Sequence, residues 1–139
     1  MAPRFVLDSF GVMALLQDEP GAAKVQELLE AGSKGECELY ISVVNLGEVL
    51  YLLENRRGID AAHEALAFIE QSPIRTAHVD RSLALLAARL KAATGIGYAD
   101  CFAAALAQQL NAVLVTGDPD FQQVEDTVPV EWLPTLQPR

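Results

Sequence analysis

The sequence predicts an α/β fold, a parallel sheet covered by helices on both sides. Two observations carry this. Short, wholly or largely apolar runs read as strands buried on both faces, and amphipathic helical stretches separate them. Phe5-Val6-Leu7, Leu39-Tyr40-Ile41-Ser42-Val43-Val44 and Ala112-Val113-Leu114-Val115 are such runs. No internal repeat or linker interrupts the alternation, so residues 1–139 are expected to form one domain.

Taken in order, the first strand ends in Asp8, and Ser9 to Leu16 reads as a short apolar helix. Pro20 opens a longer helix with Val25, Leu28 and Leu29 as its apolar stripe, ended between Gly32 and Gly35. The second strand, Leu39 to Val44, runs directly into a helix from Asn45 to Arg57 that Gly58 stops. On that helix Leu46, Val49, Leu50 and Leu53 share one side, while Glu48, Tyr51, Leu52 and Asn55 share the other. Ile59 to Gln71 is a further helix, followed by a third strand from Ile74 to Val79. Asp80 is placed to N-cap the helix Arg81 to Thr94, and Gly95-Ile96-Gly97 turns the chain. The helix Tyr98 to Leu110 puts Asp100, Ala103, Ala104 and Ala107 on one side, so small residues let it approach the sheet and aim Asp100 at the strand ends. Ala112 to Val115 is the fourth strand, Val128 to Leu133 a short last one, and Leu136 to Arg139 a tail.

Composition restricts the function. Residues are 51% hydrophobic and 21% charged, with 19 Asp and Glu against 10 Lys and Arg for a net charge of -9. Such a field repels nucleic acid and anionic membrane, so a polyanionic substrate would need bound cations. Cys37 and Cys101 form no metal-spaced pair, which points to a reduced, cytoplasmic setting. No signal-like core and no run of membrane-spanning length is present, so no membrane association is expected.

Four elements carry acidic side chains to the edge where parallel strands end: Asp8 after the first strand, Glu48 in the helix after the second, Asp100 at a helix start and Asp118 after the fourth strand. Carboxylate oxygens are hard ligands suited to Mg²⁺ or Mn²⁺, which acidify water and neutralise phosphoryl oxygens. Without a cation such a cluster is unfavourable, because like charges raise one another's pKa. Each acid also has a plainer reading. Asp118 before Pro119 suits a helix cap, Asp100 suits a helix dipole, and Glu48 suits a solvated surface. Thr116 and Ser9 are candidates to orient water or phosphate or to satisfy turns, and Asp120 to support a second metal or a first helical turn. Arg56, Arg57, Arg89 and Lys91 are rim cations, whereas His63 and His78 read as surface or packing residues, and Glu125 and Asp126 as a solvated pair.

The order Leu7-Asp8-Ser9, Asn45-Leu46-Gly47-Glu48-Val49, Gly97-Tyr98-Ala99-Asp100-Cys101-Phe102-Ala103-Ala104-Ala105 and Val115-Thr116-Gly117-Asp118-Pro119-Asp120-Phe121 resembles PIN domains, most closely the VapC-type toxins of toxin-antitoxin systems. The resemblance implies a three-layer α/β/α sandwich with a five-stranded parallel sheet. It implies that Asp8, Glu48, Asp100 and Asp118 bind Mg²⁺ or Mn²⁺, supported by Thr116 and Asp120. It further implies a homodimer, endoribonuclease activity on structured RNA such as tRNA or rRNA, and a cognate antitoxin that places a basic residue in the acidic site. Cys101 is unusual beside the third acid, and its side chain is expected to point away from the metal.

The leading reading is a metal-dependent endoribonuclease. The alternative is a non-catalytic module whose acidic pocket, with the apolar surface near Tyr51 and Leu52, captures a basic partner segment. A phospho-aspartate domain is disfavoured, because Thr116 to Phe121 offers no Lys, and a nucleophilic-Asp hydrolase is disfavoured by Phe10, where it would have a second Asp.

Overall fold

The computed structural model describes residues 2–135, so the tail from Leu136 lies outside the described residues. Five strands form one parallel sheet: β1 Arg4–Leu7, β2 Glu38–Ser42, β3 Ile74–Ala77, β4 Val113–Thr116 and β5 Val130–Trp132. Their spatial order is β3-β2-β1-β4-β5. The chain therefore leaves β1 in one direction and returns to β4 on its other side. That reversal splays the connections apart and opens a crevice at the carboxyl ends of β1 and β4.

Six helices cover the sheet: α1 Ser9–Leu16, α2 Ala22–Ser33, α3 Val43–Arg57, α4 Ile59–Gln71, α5 Arg81–Thr94 and α6 Tyr98–Leu110. Strand alternation assigns the layers, since successive side chains point to opposite faces. Val6 and Leu114 join the cluster under α5 and α6, while Leu7, Leu39, Ile41 and Val115 join the one under α1 to α4. Both faces are thus covered over the central strands, which is why residues 5–7 and 113–115 are apolar without a break. The result is the three-layer sandwich with five parallel strands that the resemblance implied.

Several boundaries differ from the sequence reading. Strand β2 ends at Ser42, not Val44, because the Ser42 hydroxyl accepts the Asn45 N–H at 3.1 Å and starts α3 two residues earlier. Val43 and Val44 favour strand intrinsically, but the cap overrides that preference. Likewise β3 stops at Ala77, and β5 is only Val130–Trp132. Asp80 does cap α5, accepting the Leu83 N–H at 2.8 Å. Gly58, at φ 92°, ends α3 and begins α4, a turn that a side chain would strain. No described helix is long and apolar enough to cross a membrane.

Candidate functional site

Asp8 leaves β1 in extended conformation and caps α1, its Oδ1 accepting the Gly11 N–H at 2.8 Å. Because Leu7 pairs with Val115, the next residue on each strand comes alongside, and Thr116 donates its hydroxyl to Asp8 Oδ2 at 2.5 Å. Thr116 in turn accepts the Asp118 N–H at 3.0 Å. A short relay thus ties the first acid to the loop bearing the fourth. Asp118 then caps the 3₁₀ turn Pro119–Val124, accepting the Asp120 N–H at 2.9 Å. For Asp118 the capping reading is realised, and the cap also faces the crevice.

Glu48 comes from the second turn of α3, where Ser9 donates its hydroxyl to Glu48 Oε1. Asp100 lies in the first turn of α6. Its carboxylate folds back over Gly97, where an added Cβ would lie 3.1 Å from Asp100 Oδ2. Residues Cys101 to Ala107 of this helix are all buried, so it seats closely on β1, β2 and β4. Cys101 Sγ is directed to the Ile96 carbonyl at 4.0 Å, away from the acids.

Asp8, Glu48, Asp100 and Asp118 line one open cleft of about 320 Å³, together with Ser9, Phe10, Met13, Glu19, Leu52 and Arg56. Five of these ten residues are acidic and one is basic, so acidic side chains dominate the lining. Among the described residues, Asp100, Asp118 and Asp120 each offer a carboxylate oxygen within 4.8 Å of the others. This tightest group differs from the four acids of the sequence reading: Asp120 is in it, while Asp8 and Glu48 line the cleft beside it.

The electrostatics follow from burial and crowding. Asp8 is 1% exposed, and loss of hydration pushes its carboxyl from 3.8 to about 7 against the lowering effect of the Thr116 and Gly11 hydrogen bonds, with Asp100 and Asp118 adding repulsion. Asp100 is likewise raised to about 7, first by burial and then by Asp118, Glu48 and Asp120, with Lys91 opposing. Such mutual repulsion is what a bound cation would relieve.

The rim cations divide. Arg56 lines the cleft, its guanidinium donating to Gln17 Oε1 at 3.0 Å. Lys91 instead clamps the α5–α6 turn, donating to the Ile96 carbonyl at 2.7 Å. Arg57, Arg89, His63 and His78 lie exposed outside the cleft lining. Sequence reasoning missed Glu19 in the cleft and Asn45 beneath it. The spacing Ser42-x-x-Asn45 resembles a capping box, the one signal that pointed to a polar role for Asn45.

A family model described as the PIN domain matches residues 5–126. No curated protein sequence matches the chain. Among solved structures, VapBC2 from Rickettsia felis bound to a promoter DNA fragment is similar at a TM-score of 0.75 and 16% identity, over 94% of this chain and 99% of that one. The Mycobacterium tuberculosis toxin VapC20, named as cleaving the sarcin-ricin loop, is similar at 0.70 and 20% identity, over 85% and 92%. VapBC-1 from nontypeable Haemophilus influenzae is similar at 0.68 and 21%, over 93% and 97%. A family model that spans most of the sequence, and a fold shared along nearly the whole length of these structures, establish that the chain belongs to the PIN-domain family.

Proposed function

We propose that this chain is a metal-dependent endoribonuclease toxin of the VapC type, acting on structured RNA such as tRNA or rRNA and neutralised by a cognate antitoxin. The observation that supports it most is the meeting of Asp8, Glu48, Asp100 and Asp118 in one cleft, from elements spread over more than a hundred residues. Buried like charges cost stability and recur where chemistry requires them.

The donor set fits a hard divalent cation: carboxylate oxygens only, three of them already within 4.8 Å, at an Asp100 whose charge is destabilised without one. In this reading Asp8, Glu48, Asp100 and Asp118 hold Mg²⁺ or Mn²⁺, with Asp120 in support. When bound, the ion supplies an acidified water and neutralises charge on the scissile phosphate. Thr116 fixes the direction of Asp8 and Ser9 that of Glu48. Arg56 supplies the positive contact for an RNA phosphate at the rim. In-line attack by water then leaves 5′-phosphate and 3′-hydroxyl ends.

The RNA substrate is supported by the name of the VapC20 relative, and the antitoxin by the VapBC complexes of similar fold. The antitoxin's basic segment would enter the acidic cleft, and the toxin would act as a cytoplasmic homodimer. Cleavage of pooled RNA with Mn²⁺, by wild type and by Asp100→Asn, tests the proposal. Wild-type cleavage that stops in EDTA and falls at least about a hundredfold in the variant is expected. Equal cleavage by the variant, or full activity in EDTA, overturns it. Tight capture of a basic peptide without any cleavage would leave the binding-module reading.

A further inference from the structure

Asn45 is completely buried, and each of its polar side-chain atoms is engaged by an element that carries one of the acids. Its Oδ1 accepts the Ser42 hydroxyl at 2.6 Å, at the cap of α3 that bears Glu48. Its Nδ2 donates to the Ala99 carbonyl at 3.1 Å, one residue before Asp100, and to Ser9 Oγ at 3.4 Å. Ser9 follows Asp8 and donates its own hydroxyl to Glu48 Oε1. A carbonyl can only accept, so Ala99 fixes which end of the amide faces α6. The amide orientation, the α6 start and the Glu48 rotamer are therefore set together.

Resting on the metal-centre reading above, we infer that Asn45 is a positioning residue. Its amide braces the first turn of α6 against α1 and α3, so that Asp100 and Glu48 are both held in the cleft before any cation arrives. No other described side chain bonds to both the Asp100 turn and the Ser9–Glu48 pair. Groups hydrogen-bonded to metal ligands typically change affinity by about 10–100-fold when removed, and Asn45 stands directly behind such contacts, through Ser9 for Glu48 and through the Ala99 backbone for Asp100.

Mn²⁺ binding to the full-length chain, read as loss of the free-ion electron paramagnetic resonance signal, tests this without relying on cleavage. Asn45→Ala is expected to weaken Mn²⁺ binding by about tenfold or more. Val49→Ala, buried one turn further along α3 and away from the cleft lining, should lower the melting temperature and leave binding unchanged. Equal affinity for Asn45→Ala and wild type overturns the inference, as does an equal weakening in Val49→Ala, which would mark a merely structural role. If Asn45→Ala does not fold, Ser9→Ala decides: about threefold or more weakening supports the bracing network, and none overturns it. A wild type that binds no Mn²⁺ overturns the metal centre itself, a result distinct from a wild type that binds and an Asn45 variant that binds as well.

Discussion

Asp8→Asn should stabilise the metal-free protein at high pH and destabilise it at low pH. Burial lifts the Asp8 carboxyl from 3.8 to about 7, so the fold favours its protonated form. The associated stability is fully present below the unfolded value near 3.8, declines as pH rises, and is gone above about 7. At ~1.4 kcal/mol per pH unit, that gap is worth roughly 4 kcal/mol. Asparagine keeps the acceptor for the Gly11 N–H but turns an amide N–H toward the Thr116 hydroxyl, a loss of about 1–2 kcal/mol. The net expectation is a gain of about 2–3 kcal/mol at about pH 8 and a loss of about 1–2 kcal/mol at about pH 4. Urea unfolding in EDTA measures both, and at a slope of ~1–3 kcal/mol/M the midpoint rises by roughly 0.7–3 M at the higher pH and falls by roughly 0.3–2 M at the lower. Superimposable curves for wild type and variant at both pH values would refute the argument that burial disfavours the charged form of Asp8. Divalent metal should reverse the high-pH order, because a ligand that binds only the folded wild type adds to its stability alone.

Two further outcomes follow from single contacts. Arg56→Ala should raise KM for RNA several-fold with kcat little changed, and should reduce the salt dependence of binding by about one counterion, as checked by titration across ionic strengths. Gly117→Ala places a Cβ 2.4 Å from Phe10 Cε1 in the cleft wall, so about 1–3 kcal/mol of destabilisation is expected in urea melts, with Phe10 displaced in a crystal structure of the variant.

The sheet was legible because burial on both faces leaves an unbroken apolar signature, as in Val6-Leu7 and Leu114-Val115. Asp8, Asp100 and Asp118 were legible because each stands at a strand end or a helix start, where the chain's direction largely decides its neighbourhood, whereas Glu48, in the second turn of α3, was legible only in combination with them. What was not legible depended on contacts across the fold. Asn45 reads locally as an ordinary polar residue in the first turn of a helix, and its importance comes from Ala99, 54 positions away. Asp120 was named as a supporting acid, but that its carboxylate comes within 4.8 Å of those of Asp100 and Asp118 depends on the tight 3₁₀ turn, which a Pro-containing sequence does not distinguish from a longer helix. Glu19 sits in a loop whose path over the cleft is set by the packing of α1 on α2.

The hydrogen bond from Thr116 to Asp8 joins residues 108 positions apart, and β1 lies between a strand made early and one made late. While the polypeptide is still emerging from the ribosome, its first acid has no partner and the crevice has only one wall. Premature termination anywhere before β4 yields a product without a working pocket. The order of the strands thus acts as a delay, postponing completion of the acidic crevice until synthesis of the chain is almost finished.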